Sequence, residues 1–303
     1  MPEPESSDTR RLDAAAVASS LRRLAKREPP WLHGEVARRM AQRLELIRLK
    51  PERIVDWWSY VGAGSEPLDK ACPRAQRTVV EPTEALVERS RALHRAPWWR
   101  IGGSKVEIVG EDQPTPGGAQ LVWANMMLHA VKDPPALMAR WQQALSADGF
   151  VMFSCFGPDT LRELRALYQR LGWPAPTIPF VDMHDLGDML VHAGFADPVM
   201  DQEMLTLTWA DPQALLTELR GLGGNASPER FAGLRTPRWR QTLEHELQSL
   251  AGPDGRLRLS FEIAYGHAFK AAPRLQAGTP TTVSLDDMRA LVRSGRRRGK
   301  DQS

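Results

Sequence analysis

Two short apolar runs each end on a carboxylate: Arg53-Ile54-Val55 leads into Asp56, and Thr78-Val79-Val80 leads into Glu81. A carboxylate can accept two hydrogen bonds side by side, an arrangement that suits a vicinal diol. After Asp56 comes Gly62, backbone without a Cβ that lets a loop approach a ligand closely, and Gly64 beyond it adds local flexibility past the expected contact. Trp58 and Tyr60 put two large rings into the same loop. A later apolar run, Leu121-Val122-Trp123-Ala124, is followed by Asn125 and His129. Further on, His184, Asp185, Asp188 and His192 include two pairs at helical i,i+4 spacing, which can bind a metal ion. The simpler reading is an acidic helix start favoured by the dipole, and no metal is expected.

The bulk composition bounds what these groups can serve. The chain has 303 residues with 40 basic and 37 acidic side chains, a balance that argues against a broad nucleic-acid-binding face. Its two cysteines, Cys72 and Cys155, exclude a disulfide framework or a four-cysteine zinc site and point to a reducing cytoplasm. No apolar run approaches the ~20 residues of a membrane helix. The polar start Pro2–Arg11 does not read as a secretory signal.

The elements that must position these residues follow from periodicity. Leu12–Ala25 reads as a short amphipathic helix ended by Pro29-Pro30, and Val36, Met40, Leu44 and Ile47 give residues 34–48 a helical stripe. Strands are expected at 53–56, 78–81, 106–109, 121–125 and 150–154, with helices at 82–93 and 135–145. Strands separated by helices imply parallel pairing with right-handed crossovers. Thr160 and Glu163 have capping-box spacing ahead of a helix over 161–171. Asp182 is placed to cap a helix ending near Gly194, Asp211-Pro212 to start another, and Ser227-Pro228 to start a helix over 228–245. The segments 204–208 and 256–269 are expected to close the sheet as antiparallel edge strands. The chain divides into an N-terminal tail and helix (1–30), a main unit (31–271) with a helical insertion at about 157–250, and a polar tail (272–303) containing Arg296–Lys300.

Several stretches resemble one family. "LVWANMMLHAV" from Leu121, "FVMFSCFGPDTLRELR" from Phe150 and "FVDMHDLGDMLVHAGFADPVMDQEMLTLTW" from Phe180 are similar to signatures of the malonyl-acyl-carrier-protein O-methyltransferases of biotin synthesis. The lead-in "LHGEVARRMAQRLELIRLKPERIVD" also fits. The same signatures occur in related mitochondrial complex I assembly factors, one line of which works as an arginine hydroxylase. The resemblance implies an α/β, Rossmann-like methyltransferase fold: a mostly parallel seven-stranded sheet with helices on both faces. It also implies S-adenosyl-L-methionine (SAM) as cofactor and an acyl-carrier-protein thioester as substrate and partner.

Carried onto this sequence, the family's cofactor-binding pattern falls on Asp56, Gly62, Glu81, Trp123 and Asn125, with Glu81 on the ribose hydroxyls. Glu111 and Asp112 are candidates for the acid that meets the adenine amine. Trp58 and Tyr60 stand where the family has its first two glycines. Their rings either fill the methionine half of the pocket or turn into the core, and the sequence leaves both open. Arg230, Arg235, Arg238, Arg240 and Lys270 are placed to meet an acidic carrier, and no residue is assigned to catalysis. Two functions follow: methyl transfer to a malonyl carboxylate, which needs orientation more than acid–base help, or a non-catalytic relative serving as a partner-binding or assembly factor.

Overall fold

The structure is a computed structural model that describes residues 11–95 and 106–271. The basic C-terminal tail, Trp98 and Trp99 lie outside the described residues. Helices α1 (Ala14–Leu24) and α2 (Trp31–Leu44) lead into β1 (Arg53–Trp57). Two short helices, α3 (Ser59–Gly62) and α4 (Ser65–Ala71), precede β2 (Gln76–Glu81). Then come α5 (Glu84–Leu93), β3 (Val106–Gly110), β4 (Ala119–Ala124), α6 (Pro134–Ala144) and β5 (Leu145–Phe156). The second half holds α7 (Arg162–Arg170), α8 (Met183–His192), β6 (Phe195–Trp209), α9 (Pro212–Gly221), α10 (Pro237–Gln248) and β7 (Leu257–Lys270).

The seven strands form one sheet in the order β3-β2-β1-β4-β5-β7-β6. The first five are parallel, and β7 runs antiparallel between β5 and β6. Side chains alternate faces along each strand. Val55, Trp57, Val122, Ala124, Val151 and Phe153 build one core layer with α5, α6 and α8. Ile54, Leu121, Trp123, Phe150 and Met152 build the opposite layer with α2, α4, α7 and α10. The inner parallel strands β1, β4 and β5 are buried on both faces, so they read as continuous apolar runs rather than alternating ones, whereas the edge strand β3 is only partly buried.

Several helix starts match their sequence signals. Asp182 and Asp211 accept from backbone N–H groups of the first turns of α8 and α9, and Asp133, which was not singled out in the sequence, does the same for α6. The expected capping box at Thr160 and Glu163 does not form. Thr160 instead exchanges hydrogen bonds with the Glu262 backbone, and Glu163 accepts from Ser260 N and Oγ. Both side chains therefore dock α7 on β7 rather than closing its first turn. The helix expected from Ser227-Pro228 is also absent: Ser227 Oγ accepts from Glu229 N in a turn, and the helix begins at Pro237 under a Thr236 cap.

The insertion of β7 leaves Gly266 wedged between its neighbours. A Cβ there would lie 2.4 Å from Phe153 Cε1 and 2.9 Å from Met200 Sδ. Gly266→Val is expected to lower stability by roughly 1–3 kcal/mol, the usual cost of overpacking, read as a lower urea midpoint with unchanged slope.

Candidate functional site

Open parallel sheets bind ligands beyond the carboxyl ends of the strands where the strand order reverses. Here that point lies between β1 and β4, and two sequence-predicted residues, Gly62 and Asn125, meet at it. Asn125 Nδ2 donates to Gly62 O at 2.5 Å and to His33 O at 2.8 Å, while its Oδ1 accepts from Ser154 Oγ at 2.7 Å. Asn125 is thus a fully satisfied buried amide tying α2, α3 and β5 together. A Cβ on Gly62 would come within 2.8 Å of Asn125 O, so glycine is needed there for this close approach.

The loop after β1 is a compact helical turn. Trp58 takes left-handed backbone angles, φ 54° and ψ 46°, a conformation that costs a bulky residue of order 1–3 kcal/mol. Its N–H nevertheless continues the ladder to Val80 O at 2.7 Å. Its indole N–H donates to Glu111 Oε2, and that of Trp57 donates to Glu111 Oε1, both at 3.1 Å. Arg140 closes the cluster by donating to Glu111 O at 2.6 Å and lying over the Trp57 ring. Tyr60 is buried, donates its hydroxyl proton to Arg27 O and accepts from Arg89. The two rings part company: Tyr60 anchors sideways to α5 and the α1–α2 turn, whereas Trp58 lines a cavity.

The predicted acids are sealed by this loop. Glu81 is 0% exposed, and its Oε1 accepts from Tyr60 N at 2.8 Å and from Ser90 Oγ at 2.6 Å. Its Oε2 has no hydrogen-bond partner. Burial pushes this carboxyl up to about 8, against the pull of the Ser90 and Tyr60 donors. Asp56, also buried, is pushed up to about 6 by desolvation, opposed by the Arg77 guanidinium at 3.7 Å and by Ser59 Oγ at 2.5 Å. Trp123 is not drawn into this group. It is fully buried in the α2–α4 layer with its indole nitrogen packed close to Gly64.

A cavity of about 760 Å³ opens beside the loop, over the ends of β1, β4 and β5. Trp58, Met126, His129 and Phe156 line its β-strand end, and Tyr168, Phe180, Leu216 and Trp239 its helical walls. No aspartate or glutamate is among its lining residues, whereas Arg220, Arg235 and Arg240 are. His33 also borders it, and no sequence signal marks this residue within the α2 stripe. Its Nδ1–H donates to Val61 O at 2.8 Å, which leaves Nε2 as an acceptor without a partner. Burial lowers His33 to about 4, so the ring is neutral at neutral pH. His184 and His192 lie elsewhere on α8, both exposed, bonded to Asp182 and to the Asp188 carbonyl. Among the described residues no cluster of three or more His, Cys, Asp or Glu is positioned to hold a metal ion.

The strand order and the cavity at its switch point define a methyltransferase-type α/β protein. Residues 31–197 match the family model described as "Methyltransferase domain". The YcgJ protein of Bacillus subtilis (TM-score 0.51, 12% identity, 77% of this chain and 98% of that one) is similar in fold. So is a putative methyltransferase of Bacillus halodurans (TM-score 0.50, 15% identity, 77% and 99% covered). The malonyl-[acyl-carrier protein] O-methyltransferase of Gallionella capsiferriformans is 37% identical over 80% of this chain and 86% of its own length. That of Halorhodospira halophila is 34% identical over 96% and 98%. The chain belongs to the malonyl-acyl-carrier-protein O-methyltransferase family.

The two raised carboxyls carry a pH signature. The folded state holds their protons more tightly than the unfolded state does. Their stabilisation is complete below the ordinary values of 4.5 and 3.8 and is lost as pH rises through about 8 for Glu81 and about 6 for Asp56. Glu81→Gln keeps an acceptor for Tyr60 N–H but removes the titration. Its stability relative to the native protein is expected to rise between pH 5 and pH 9 in urea denaturation. An unchanged difference across that range would show that Glu81 is not held as a buried acid.

Proposed function

We propose that this chain is a SAM-dependent O-methyltransferase that esterifies the free carboxylate of a malonyl group carried as a thioester on an acyl carrier protein, a step of biotin synthesis. The observation that carries this reading is the 34% identity to a relative of that name across 96% of the chain. The cavity agrees with it: apolar walls, no acidic lining residue and arginines among the lining suit an anionic acyl thioester. The same relatives weigh against the assembly-factor alternative.

The donor set suits SAM in one respect and obstructs it in another. Glu81 Oε2 is a buried acceptor lacking a donor, which matches a ribose hydroxyl, and Glu81 with the Gly62 backbone would hold the group. In the conformation shown, the Trp57–Gly62 segment covers that carboxylate completely. SAM therefore requires this segment to move away from β2, and when bound it supplies an electrophilic methyl group. The chain's own contribution is positional. A carboxylate is already a nucleophile, so no general base is needed, and a largely apolar cavity with neutral His33 at its border orients it without competing protonation. We take residues 31–271 as the catalytic unit, with the 157–250 segment and α1 together supplying the cavity's helical walls. The low cysteine content, Cys72 and Cys155 alone, and the absence, among the described residues, of a helix able to cross a membrane support a cytoplasmic setting.

Incubation with labelled SAM and malonyl-acyl carrier protein is expected to yield a base-labile methyl ester on the carrier, and no label on acetyl-acyl carrier protein. Label on neither would overturn the reading. Titration with S-adenosylhomocysteine examines the loop separately. The Trp58→Gly, Tyr60→Gly double variant is expected to bind at least tenfold more tightly than the native chain. Equal affinities would show that the two rings do not obstruct the site.

A further inference from the structure

The cavity's arginines are not equivalent. Arg240 donates to Glu244 at 2.8 Å and is committed to its own helix. Arg235 lies 3.9 Å from the Phe231 ring centroid and 4.3 Å from that of Trp239, so its plane is fixed by stacking, yet it has no carboxylate partner among the described residues. Arg220, in the last turn of α9, has neither a hydrogen bond nor an ion pair among the described residues. Arg220 is exposed and Arg235 half-buried, which puts both guanidinium groups at the solvent-facing mouth, whereas Trp58, Met126 and Phe156 close the buried end.

Unpaired guanidinium groups beside an apolar cavity without a lining carboxylate make a local field that favours an anion. The planar fork matches phosphate oxygens in a bidentate manner, and stacking on Trp239 restricts the rotamers that would otherwise be lost on binding. The carboxylate to be methylated must reach the strand end of the cavity, beyond the reach implied by an exposed Arg220. The anion at the mouth is then a different one. A carrier-bound thioester hangs from a phosphopantetheine arm, with the acyl group at its tip and a phosphodiester at its root.

We infer that Arg220 and Arg235 form a phosphate clamp at the cavity mouth that holds the root of the thioester arm while the acyl tip occupies the apolar interior. This rests on the carrier-thioester reading above, and the clamp is a specificity device for that substrate class rather than part of the chemistry.

The test is direct binding, independent of methyl transfer, by calorimetry with two probes: malonyl-phosphopantetheine and malonyl-pantetheine, which differ only in the phosphate. The native chain is expected to bind the phosphorylated probe at least tenfold more tightly, with the gap shrinking as salt rises. Arg220→Gln and Arg235→Gln should each cut that gap to threefold or less, and Arg220→Lys should restore part of it. Circular dichroism of each variant checks that it is folded, and Arg220, exposed at a helix end, is the safer variant of the two. Absence of a gap in the native chain, or a gap that survives both variants, overturns the clamp. Equal loss of affinity for both probes also overturns it, because the arginines would then be gripping the malonyl carboxylate. A methyl-transfer failure alongside a phosphate-dependent gap would instead sink the catalytic reading and leave the clamp standing.

Discussion

Glu81 is a carboxyl group sealed from water, and the turn after β1 is shaped around that fact. One of its oxygens takes the Tyr60 N–H and the Ser90 hydroxyl, which joins the β1 turn, the end of β2 and α5 through a single atom. For that N–H to point at β2, the chain must reverse at Trp58, and it does so through a left-handed backbone conformation. The strain is local. Offsetting it are burial of the Trp58 ring, its hydrogen bond to Glu111 and the ladder bond from its N–H to Val80. Once the reversal is set, Gly62 falls against Asn125 and the floor between β1 and β4 is fixed.

That floor explains why the cavity lies where it does. In a sheet of this order the helices after β1 and β4 diverge to opposite faces, so their starts cannot pack on each other and a crevice remains. The turn after β1 fills the side of the crevice facing β2 and leaves open the side facing β5. The walls of the open side come from α1, α7, α9 and α10, and the last three belong to the segment inserted between β5 and β7. The protein thus combines a filled crevice on the Glu81 side with an open apolar space on the Phe156 side, separated by the Trp58 ring.

Much of this architecture was legible in the residues. Runs such as Leu121–Ala124 and Phe150–Ser154 are apolar without alternation because parallel strands here are covered on both faces. Asp182 and Asp211 announced their helices because a cap needs only its own first turn. Thr160 and Glu163 misled for the opposite reason: their partners lie about a hundred residues away on β7, and local spacing carries no record of such partners. The site was legible as positions but not as environments. Asp56, Gly62, Glu81 and Asn125 do gather around the β1 and β4 ends, yet nothing in the sequence says that Glu81 is roofed by Tyr60. Nor does it say that Glu111 is taken by two indoles, or that Trp123 packs in the layer beneath. His33 was invisible because it occupies an ordinary position in a helical stripe.

The distribution of charge carries the argument a step further. Acids accumulate on the filled side, at buried Asp56 and Glu81 and part-buried Glu111, where Arg77, Arg140 and indole or hydroxyl donors face them and only Glu81 Oε2 is left without a hydrogen bond. The open side has no acid among its lining residues, and two of its guanidinium groups lack carboxylate partners among the described residues. A ligand that is apolar along its length and anionic at its ends is therefore attracted to the open side and has little to gain on the other. A nucleoside-bearing ligand would have to displace the chain's own donors from Glu81. The two halves of a methyl-transfer site are thus unequally prepared in this conformation. On the function proposed above, the acceptor side stands open, while the donor side is occupied by the chain itself, and the Trp58 ring divides the two.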